Sequence, residues 1–140
     1  MYELQAADLM STDLITLDAD ETIDLAGEIM QLARIRHLPI TSDGQLVGLI
    51  TQRDLLRAQI ETLAGLSTRQ ARAAQRSISA GSVMNRAVKS VEPDTPAVDA
   101  ARLMRDNKFG CLPVVHDDRL VGIITEADFI DLVIGVIEAS

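Results

Sequence analysis

Aromatic residues are almost absent from this sequence of 140 residues, which has one tyrosine, two phenylalanines and no tryptophan. The core must therefore be aliphatic, and a bound ring would have to lie between leucine, isoleucine and valine side chains. Proteins that bind single-stranded nucleic acid usually stack the bases on aromatic side chains, so the composition argues against that ligand. The formal net charge of −8 repels phosphate backbones, which argues against duplex nucleic acid as a partner.

Cysteine is limited to Cys111, which excludes an internal disulfide and a cysteine-rich zinc site. Its position at a predicted strand start favours a core role, and no structural metal is expected. Long apolar runs are also missing: none approaches the roughly 20 residues that span a bilayer, and residues 1–10 carry acids and no signal-peptide core. We therefore expect a soluble, cytoplasmic protein that has no membrane partner.

The sequence does contain an internal repeat. Residues 9–56 match residues 83–130 without a gap, at an offset of 74. The identical pairs include Leu38/Leu112, Pro39/Pro113, Gly48/Gly122, Thr51/Thr125 and Asp54/Asp128. Chance similarity between two helices would not keep proline, glycine, threonine and aspartate in step, so we interpret the chain as a duplicated fold unit.

Each copy predicts the element order β-α-β-β-α, with a hairpin in the middle and a final helix starting near Thr51 or Thr125. The strands are predicted at 14–17, 38–41 and 46–50 in the first copy and at 88–91, 112–116 and 120–124 in the second. Three short strands and two helices leave one sheet face uncovered. We therefore expect an α/β (α+β) fold in which two tandem β-α-β-β-α repeats pack about a pseudo-twofold axis.

The predicted domains are a first repeat at 7–65, a connection at 66–79 and a second repeat at 80–139. The composition of the connection allows it to continue the preceding helix. Residues 62–91 contain five basic residues and no acid, so this stretch carries +5 and the remainder −13. Arg69, Arg72 and Arg76 share one helical face by their spacing. Three interpretations of this basic face stay open. It is a solvated face of the linker, it contacts a phosphate, or it contacts an acidic surface of a second subunit.

The sharpest local pattern has glycine, threonine and aspartate at spacings of three, where a buried strand ends and a helix begins. It occurs as Gly48, Thr51 and Asp54 and again as Gly122, Thr125 and Asp128. In a structural interpretation each threonine is an N-cap and each aspartate completes a capping box worth about 1 kcal/mol. In a functional one the helix N-terminus offers N–H groups to a phosphate, and the aspartate accepts from both ribose hydroxyls. Capping does not require the glycine, whereas a closely approaching ligand edge would.

These residues resemble tandem cystathionine β-synthase (CBS) domains, a pair of which is called a Bateman module. The resemblance extends over nearly the whole chain and rests on Leu38-Pro39-Ile40 and Leu112-Pro113-Val114, on the Asp-containing hairpin turns, and on the two glycine-threonine-aspartate elements. It implies a regulatory sensor, not an enzyme, that binds an adenosyl ligand in clefts between the repeats and signals to a partner protein. AMP is the first expectation; ADP, ATP, S-adenosylmethionine and a nicotinamide dinucleotide are alternatives.

The resemblance also implies which residues bind the nucleotide. Asp54 and Asp128 would hold the ribose, and Thr51 and Thr125 would contact ribose or phosphate. Adenine would lie against apolar residues, namely Ile15, Leu38 and Ile40 in one copy and Val88, Leu112 and Val114 in the other, with Pro39 and Pro113 beside them. Family members commonly combine the aspartate of one repeat with the adenine wall of the other. Basic residues near the first motif, Arg34, Arg36, His37 and Arg53, predict that phosphate prefers the first copy.

The last predicted helix carries more apolar side chains than a single core-facing stripe needs: Phe129, Ile130, Leu132, Val133, Ile134, Val136 and Ile137. The surplus predicts a subunit interface, although a fully buried helix would explain it too. Because Bateman modules often associate through their terminal helices, we expect a homodimer that acts on an unknown effector protein. Two other functions stay open. One is a structural interaction module without a nucleotide, whose threonines and aspartates only cap helices, and the other is an enzyme with an unrecognised site.

Overall fold

A computed structural model of the protein describes residues 3–140, apart from the side chain of Leu63. The helices in this range are α1 (Ala6–Leu9), α2 (Ile23–Ala33), α3 (Gln52–Leu63), α4 (Thr68–Gln75), α5 (Ala80–Val83), α6 (Ala97–Asn107) and α7 (Glu126–Ala139). The strands are β1 (Leu17–Asp18), β2 (His37–Ser42), β3 (Gln45–Thr51), β4 (Cys111–His116) and β5 (Arg119–Thr125). The chain divides into two compact units: a central unit, Ile15–Val88, and a terminal unit, formed by the residues up to Leu14 together with Lys89–Ser140.

The central unit is built on the hairpin of β2 and β3, with β1 parallel to β2. The turn residues Asp43 and Gly44 have φ angles of 52° and 80°. This left-handed conformation closes two-residue hairpins, and aspartate and glycine adopt it more readily than other residues. The predicted hairpin is confirmed, and each strand extends one residue further at both ends than the sequence indicated.

Aliphatic side chains fill the core of the central unit, as the scarcity of aromatics requires. Helix α2 contributes Ile23, Ala26 and Met30, which recur at spacings of three and four and so lie on one face of the helix. The hairpin contributes Leu38 and Ile40 from β2 and Ile50 from β3, all fully buried. Each large aliphatic side chain that is removed from water contributes about 1.5–3 kcal/mol, so this cluster is the main source of the unit's stability.

The terminal unit repeats this arrangement at an offset of 74. Cys111 pairs with Thr125 as His37 pairs with Thr51, and both hairpins are irregular at the equivalent place, after Ile40 and after Val114. Helix α6 buries Ala97, Ala100 and Met104 as α2 buries its own stripe. The α/β (α+β) fold with two tandem repeats is confirmed.

The first strand of each copy is shorter than predicted. In the central unit only Leu17 and Asp18 pair with β2, and Ile15 lies outside the strand. The Asp18 side chain accepts a hydrogen bond from the Asp20 N–H at 2.9 Å, which turns the chain away from the sheet. In the second copy the strand predicted at 88–91 is reduced to a single bridge that involves Val91.

The connection between the repeats does not continue the preceding helix, so that prediction is wrong. Helix α3 ends at Leu63, and Gly65 then adopts a φ of 75°, which breaks the helical path. A separate helix, α4, begins after Ser67. Its capping box is complete, since Ser67 N–H donates to Gln70 Oε1 at 3.0 Å and Gln70 N–H donates to Ser67 Oγ at 3.2 Å.

Two four-residue helices, α1 and α5, were not predicted, and they occupy equivalent places at the starts of the two repeats. Helix α5 belongs to the central unit, where the N–H groups of Ala80 and Gly81 donate to Glu21 O and Ala19 O. Helix α1 belongs to the terminal unit, where Ala6 N–H donates to Thr95 O. The short helix at the start of each repeat therefore belongs to the same unit as the hairpin of the other repeat and contacts the second strand of that hairpin. The domain bounds 7–65, 66–79 and 80–139 describe sequence repeats and stay a prediction.

Candidate functional site

The first glycine-threonine-aspartate motif lies where β3 ends and α3 begins. Thr51 is the last residue of β3 and pairs with His37, the first residue of β2. The N–H of Gln52 donates to Arg36 O at 2.8 Å. The start of α3 therefore lies beside the start of β2, and it brings Arg36, His37 and Thr51 together as the sequence suggested.

Each motif contains a threonine–aspartate cap. In the central unit Asp54 N–H donates to Thr51 Oγ1, and Thr51 N–H donates to Asp54 Oδ2, both at 3.1 Å. In the terminal unit Thr125 N–H donates to Asp128 Oδ2 at 2.7 Å, and the Thr125 hydroxyl lies 3.4 Å from the same oxygen. The structural interpretation, in which these residues cap helices, is confirmed. The ribose role of Asp54 and Asp128 stays a prediction.

The motif glycines are explained by protein packing. A Cβ atom on Gly48 would lie 2.7 Å from Met84 Cγ and 3.0 Å from Asn85 O. The main chain of Leu49 is bridged to Asn85 by hydrogen bonds of 3.0 Å and 2.9 Å, which hold Met84 in this position. Packing of the methionine side chain therefore accounts for the glycine without a ligand edge, and the role of a ligand at this position stays a prediction.

The predicted adenine wall lies largely inside the two cores. Leu38, Ile40, Leu112 and Val114 have no exposed surface, and the neighbouring prolines, Pro39 and Pro113, are buried as well. Of the predicted wall residues, Ile15 is exposed, at 40%, and Val88 is half-buried. Val88 lies in the central unit with Ile15, whereas Leu112 and Val114 lie in the terminal unit. The grouping of these residues into two adenine walls stays a prediction.

The charges around the two helix starts differ. Arg34 and Arg36, which precede β2, and Arg53, in the first turn of α3, are all exposed. The equivalent positions in the terminal unit are occupied by Lys108, Gly110 and Ala127. Glu126 also replaces Gln52 as the first residue of the helix. The segments that meet at the start of α3 therefore carry three exposed arginines, whereas the first turn of α7 carries two acids and no arginine.

A cavity of about 430 Å³ in the central unit lies away from this motif. Its lining includes Ser42 and Val47, which flank the hairpin turn, together with Asp20 and Arg86. Thr51 ends the hairpin at the opposite end of β3. The cavity and the motif are therefore separate features of the unit.

Cys111 is 4% exposed, and burial raises the pKa of its thiol to about 12. The thiol is therefore protonated at neutral pH and is not a nucleophile, and the predicted core role of Cys111 is confirmed. Among residues 3–140 no group of three or more histidine, cysteine, aspartate or glutamate side chains is placed to hold a metal ion. Each helix in this part of the chain is too short or too polar to be a membrane-spanning segment.

Comparison with known proteins gives matches along most of the chain. The chain is similar in sequence to a CBS domain-containing protein of Dictyostelium discoideum. The two are 36% identical over 132 residues, which cover 93% of this chain and 91% of that protein. The crystal structure of the CBS domain pair of protein MJ0100, in complex with 5′-methylthioadenosine and S-adenosyl-L-methionine, is 30% identical and has a TM-score of 0.77, covering 96% of this chain and 98% of that one. CBSX2 of Arabidopsis thaliana, in complex with AMP, is 26% identical with a TM-score of 0.79, covering 94% and 97%.

Several longer relatives are homoserine O-acetyltransferases, of which this chain spans 21% to 25%. The similarity therefore concerns only a part of those enzymes. The family model described as the CBS domain matches twice, at residues 6–61 and 80–135. Because these two matches cover most of the sequence and coincide with the internal repeat, the chain belongs to the CBS domain family as a tandem pair.

Proposed function

We propose that this chain is a regulatory module, not an enzyme, that binds an adenosyl ligand at the starts of α3 and α7 and signals to a partner protein. The observation that carries the proposal is the group formed by Thr51, Asp54 and the exposed Arg36 and Arg53 at one helix start. CBS pairs at 26% and 30% identity were solved with AMP and with 5′-methylthioadenosine and S-adenosyl-L-methionine, which supports this class of ligand.

Asp54 keeps capacity for a ribose after capping. Its cap bond uses Oδ2, and an ionised carboxylate offers about four lone-pair sites on its two oxygens. Two ribose hydroxyls can therefore donate to the same carboxylate without breaking the cap. The same reasoning applies to Asp128, whose cap also uses Oδ2.

The phosphate would be held mainly by side chains. Two N–H groups at the start of α3 are already engaged, since Gln52 donates to Arg36 O and Asp54 donates to Thr51 Oγ1. Arg36 and Arg53 supply planar guanidinium groups, which bind phosphate oxygens in pairs. AMP is therefore our first candidate for this site, with ADP and ATP as alternatives.

The start of α7 favours a different adenosyl ligand. Glu126 and Asp128 place two carboxylates in its first turn, and Ala127 offers no positive charge. Phosphate would be repelled there, whereas an uncharged thioether or a cationic sulfonium would be tolerated. We therefore propose that 5′-methylthioadenosine or S-adenosylmethionine suits this second site better than AMP does.

Calorimetric titration of the purified chain with AMP, ATP, S-adenosylmethionine and 5′-methylthioadenosine tests the proposal. We expect Asp54→Ala to remove the AMP site and Asp128→Ala to leave it intact. Ser67→Ala is the matched control, because it destroys the capping box of α4 and should not change binding. A chain that binds none of these ligands would instead be a structural interaction module.

That second function has its own support. Capping bonds account for both threonine–aspartate pairs, and methionine packing accounts for both glycines, without any ligand. The exposed apolar side chains of α7, among them Ile130, Val133 and Ile137, suit a protein interface. We propose that they mediate a homodimer and that the module works in the cytoplasm on a separate effector protein. A purified chain that forms the dimer but binds none of the nucleotides would favour this function.

A further inference from the structure

Helix α4 packs against the central unit through one narrow face. Ala71 is 1% exposed, and Ala74, Gln75 and Ile78 are half-buried. Ala74 and Gln75 follow Ala71 at spacings of three and four, which place these three residues on one face of the helix, and Ile78 lies just beyond the end of α4. The contacts of α4 are made with α2 and α3. The inner face of α4 is therefore fixed by packing.

The outer face of α4 carries Arg69 and Arg72, and the C-cap residue Arg76 continues their row in helical conformation; we call these three residues the arginine face. All three are exposed. At 100° per residue they fall within about 60° of one another, and at 1.5 Å per residue the stripe is about 10 Å long. Among residues 3–140, none of the three forms an ion pair with a carboxylate. The arginine face is therefore a row of unpaired cations on a fixed helix.

The charge distribution makes this face unusual for the chain. Residues 15–88 contain eight acidic and eight basic residues, whereas the remainder contains thirteen acidic and five basic residues. Acids are thus abundant, yet residues 62–91 contain none. Like charges three or four residues apart destabilise a helix. The arginine face therefore opposes the stability of α4, and an acidic partner would remove that repulsion.

We propose that the arginine face docks a short acidic helical segment of a partner protein, with carboxylates repeated every three to four residues. Such a segment places one carboxylate opposite each arginine over about 10 Å, and arginine binds carboxylates in a bidentate geometry. A duplex nucleic acid is wider than the face and would bring phosphates against a chain of net charge −8. Anionic membranes usually attract clusters of roughly four to eight basic residues, which α4 does not provide. Docking of such a segment on the arginine face does not depend on nucleotide binding.

Fluorescence anisotropy on the full chain tests the proposal. The probe is a labelled helical peptide with glutamates at spacings of three and four. The variant Arg69→Gln/Arg72→Gln/Arg76→Gln should weaken binding by about tenfold or more, as expected for the loss of three exposed ion pairs. The matched control, Arg102→Gln/Arg105→Gln/Arg119→Gln, removes the same charge from the terminal unit and should change affinity by less than about twofold. Replacing the three α4 arginines by lysine should restore part of the affinity, because the charge returns without the bidentate geometry.

Several results would overturn the proposal. The parent chain could fail to bind the peptide at low salt, or both variants could lose affinity equally, which would indicate a general charge effect. Tighter arginine-dependent binding of a DNA duplex or of phosphatidylserine vesicles would assign another class of partner. Loss of self-association in light scattering of the α4 variant would assign the face to a second copy of the chain. AMP titrations of the same variants should be unchanged, which separates this inference from the proposed nucleotide site.

Discussion

Met84 packs directly over Gly48, at the place that a Cβ atom of residue 48 would occupy. Met10 packs over Gly122 in the same way, so the contact is repeated in both units. Each methionine directly follows one of the short helices, α5 or α1, with which the repeats begin. The two motif glycines therefore allow the first segment of one repeat to pack on the hairpin of the other.

Gly48→Ala should destabilise the protein by about 1–3 kcal/mol, because the added methyl group overpacks against Met84. Thermal or urea unfolding measures the change. The double variant Gly48→Ala/Met84→Ala provides the control, since removing the methionine side chain relieves the clash. The two substitutions should then be clearly non-additive. Additive effects would mean that the Met84 side chain does not restrict the size of the side chain at residue 48.

Removing one cap should cost little stability. Asp54→Ala and Asp128→Ala each break a hydrogen bond to a threonine N–H at a helix start, so we expect a loss of about 1 kcal/mol in the free energy of unfolding. Ser67→Ala at the start of α4 should cost a similar amount. Urea denaturation of the three variants makes the comparison. A loss above about 4 kcal/mol at Asp54 would indicate a role in the core that capping does not explain.

The two helix starts should respond differently to charge. Arg53→Ala removes a guanidinium from the start of α3 and should weaken AMP binding by roughly tenfold, since hydrogen bonds to charged groups contribute about 1.5–3 kcal/mol. The matched variant Ala127→Arg adds one at the start of α7 and should improve AMP binding there. Isothermal titration distinguishes two unequal sites from two equal ones. Identical sites in the parent chain would contradict the predicted preference of phosphate for the first copy.

The thiol of Cys111 links stability to pH. Burial raises its pKa to about 12, whereas an unfolded cysteine has a pKa of about 8.5. The unfolded chain therefore loses this proton first as the pH rises, so the thiol's contribution to stability is complete below about pH 8.5 and decreases toward pH 12. Unfolding measured between pH 8 and 10 should show this decrease in the parent chain and less of it in Cys111→Ala. Rapid alkylation of the folded protein at pH 8 would contradict the burial.

The hairpins could be predicted from the sequence because their signals are local. The turn at Asp43 and Gly44 and the short apolar strands on either side of it lie within about fifteen residues, and the repeat then supplies the second hairpin. The packing of α1 and α5 on the hairpin of the other repeat could not be predicted. It depends on contacts such as that of Gly48 with Met84, which are distant in sequence. The functional motif was ambiguous for a related reason: a capping box and a ribose site need the same residue types at the same spacing.

The last helix should hold the protein as a dimer. None of its side chains is fully buried, and Ile134 and Ile137 are 46% and 65% exposed. Apolar patches of this kind are more typical of interfaces than of monomer surfaces, and an isologous dimer would place each residue against the same helix of its mate. Ile134→Asp/Ile137→Asp should therefore convert the protein to a monomer in light scattering, because burying two carboxylates without partners opposes association. Leu32→Asp is the matched control: Leu32 on α2 is 85% exposed, so the same type of change there should leave the mass unaltered. A parent chain that is monomeric at micromolar concentration would show that α7 does not mediate self-association.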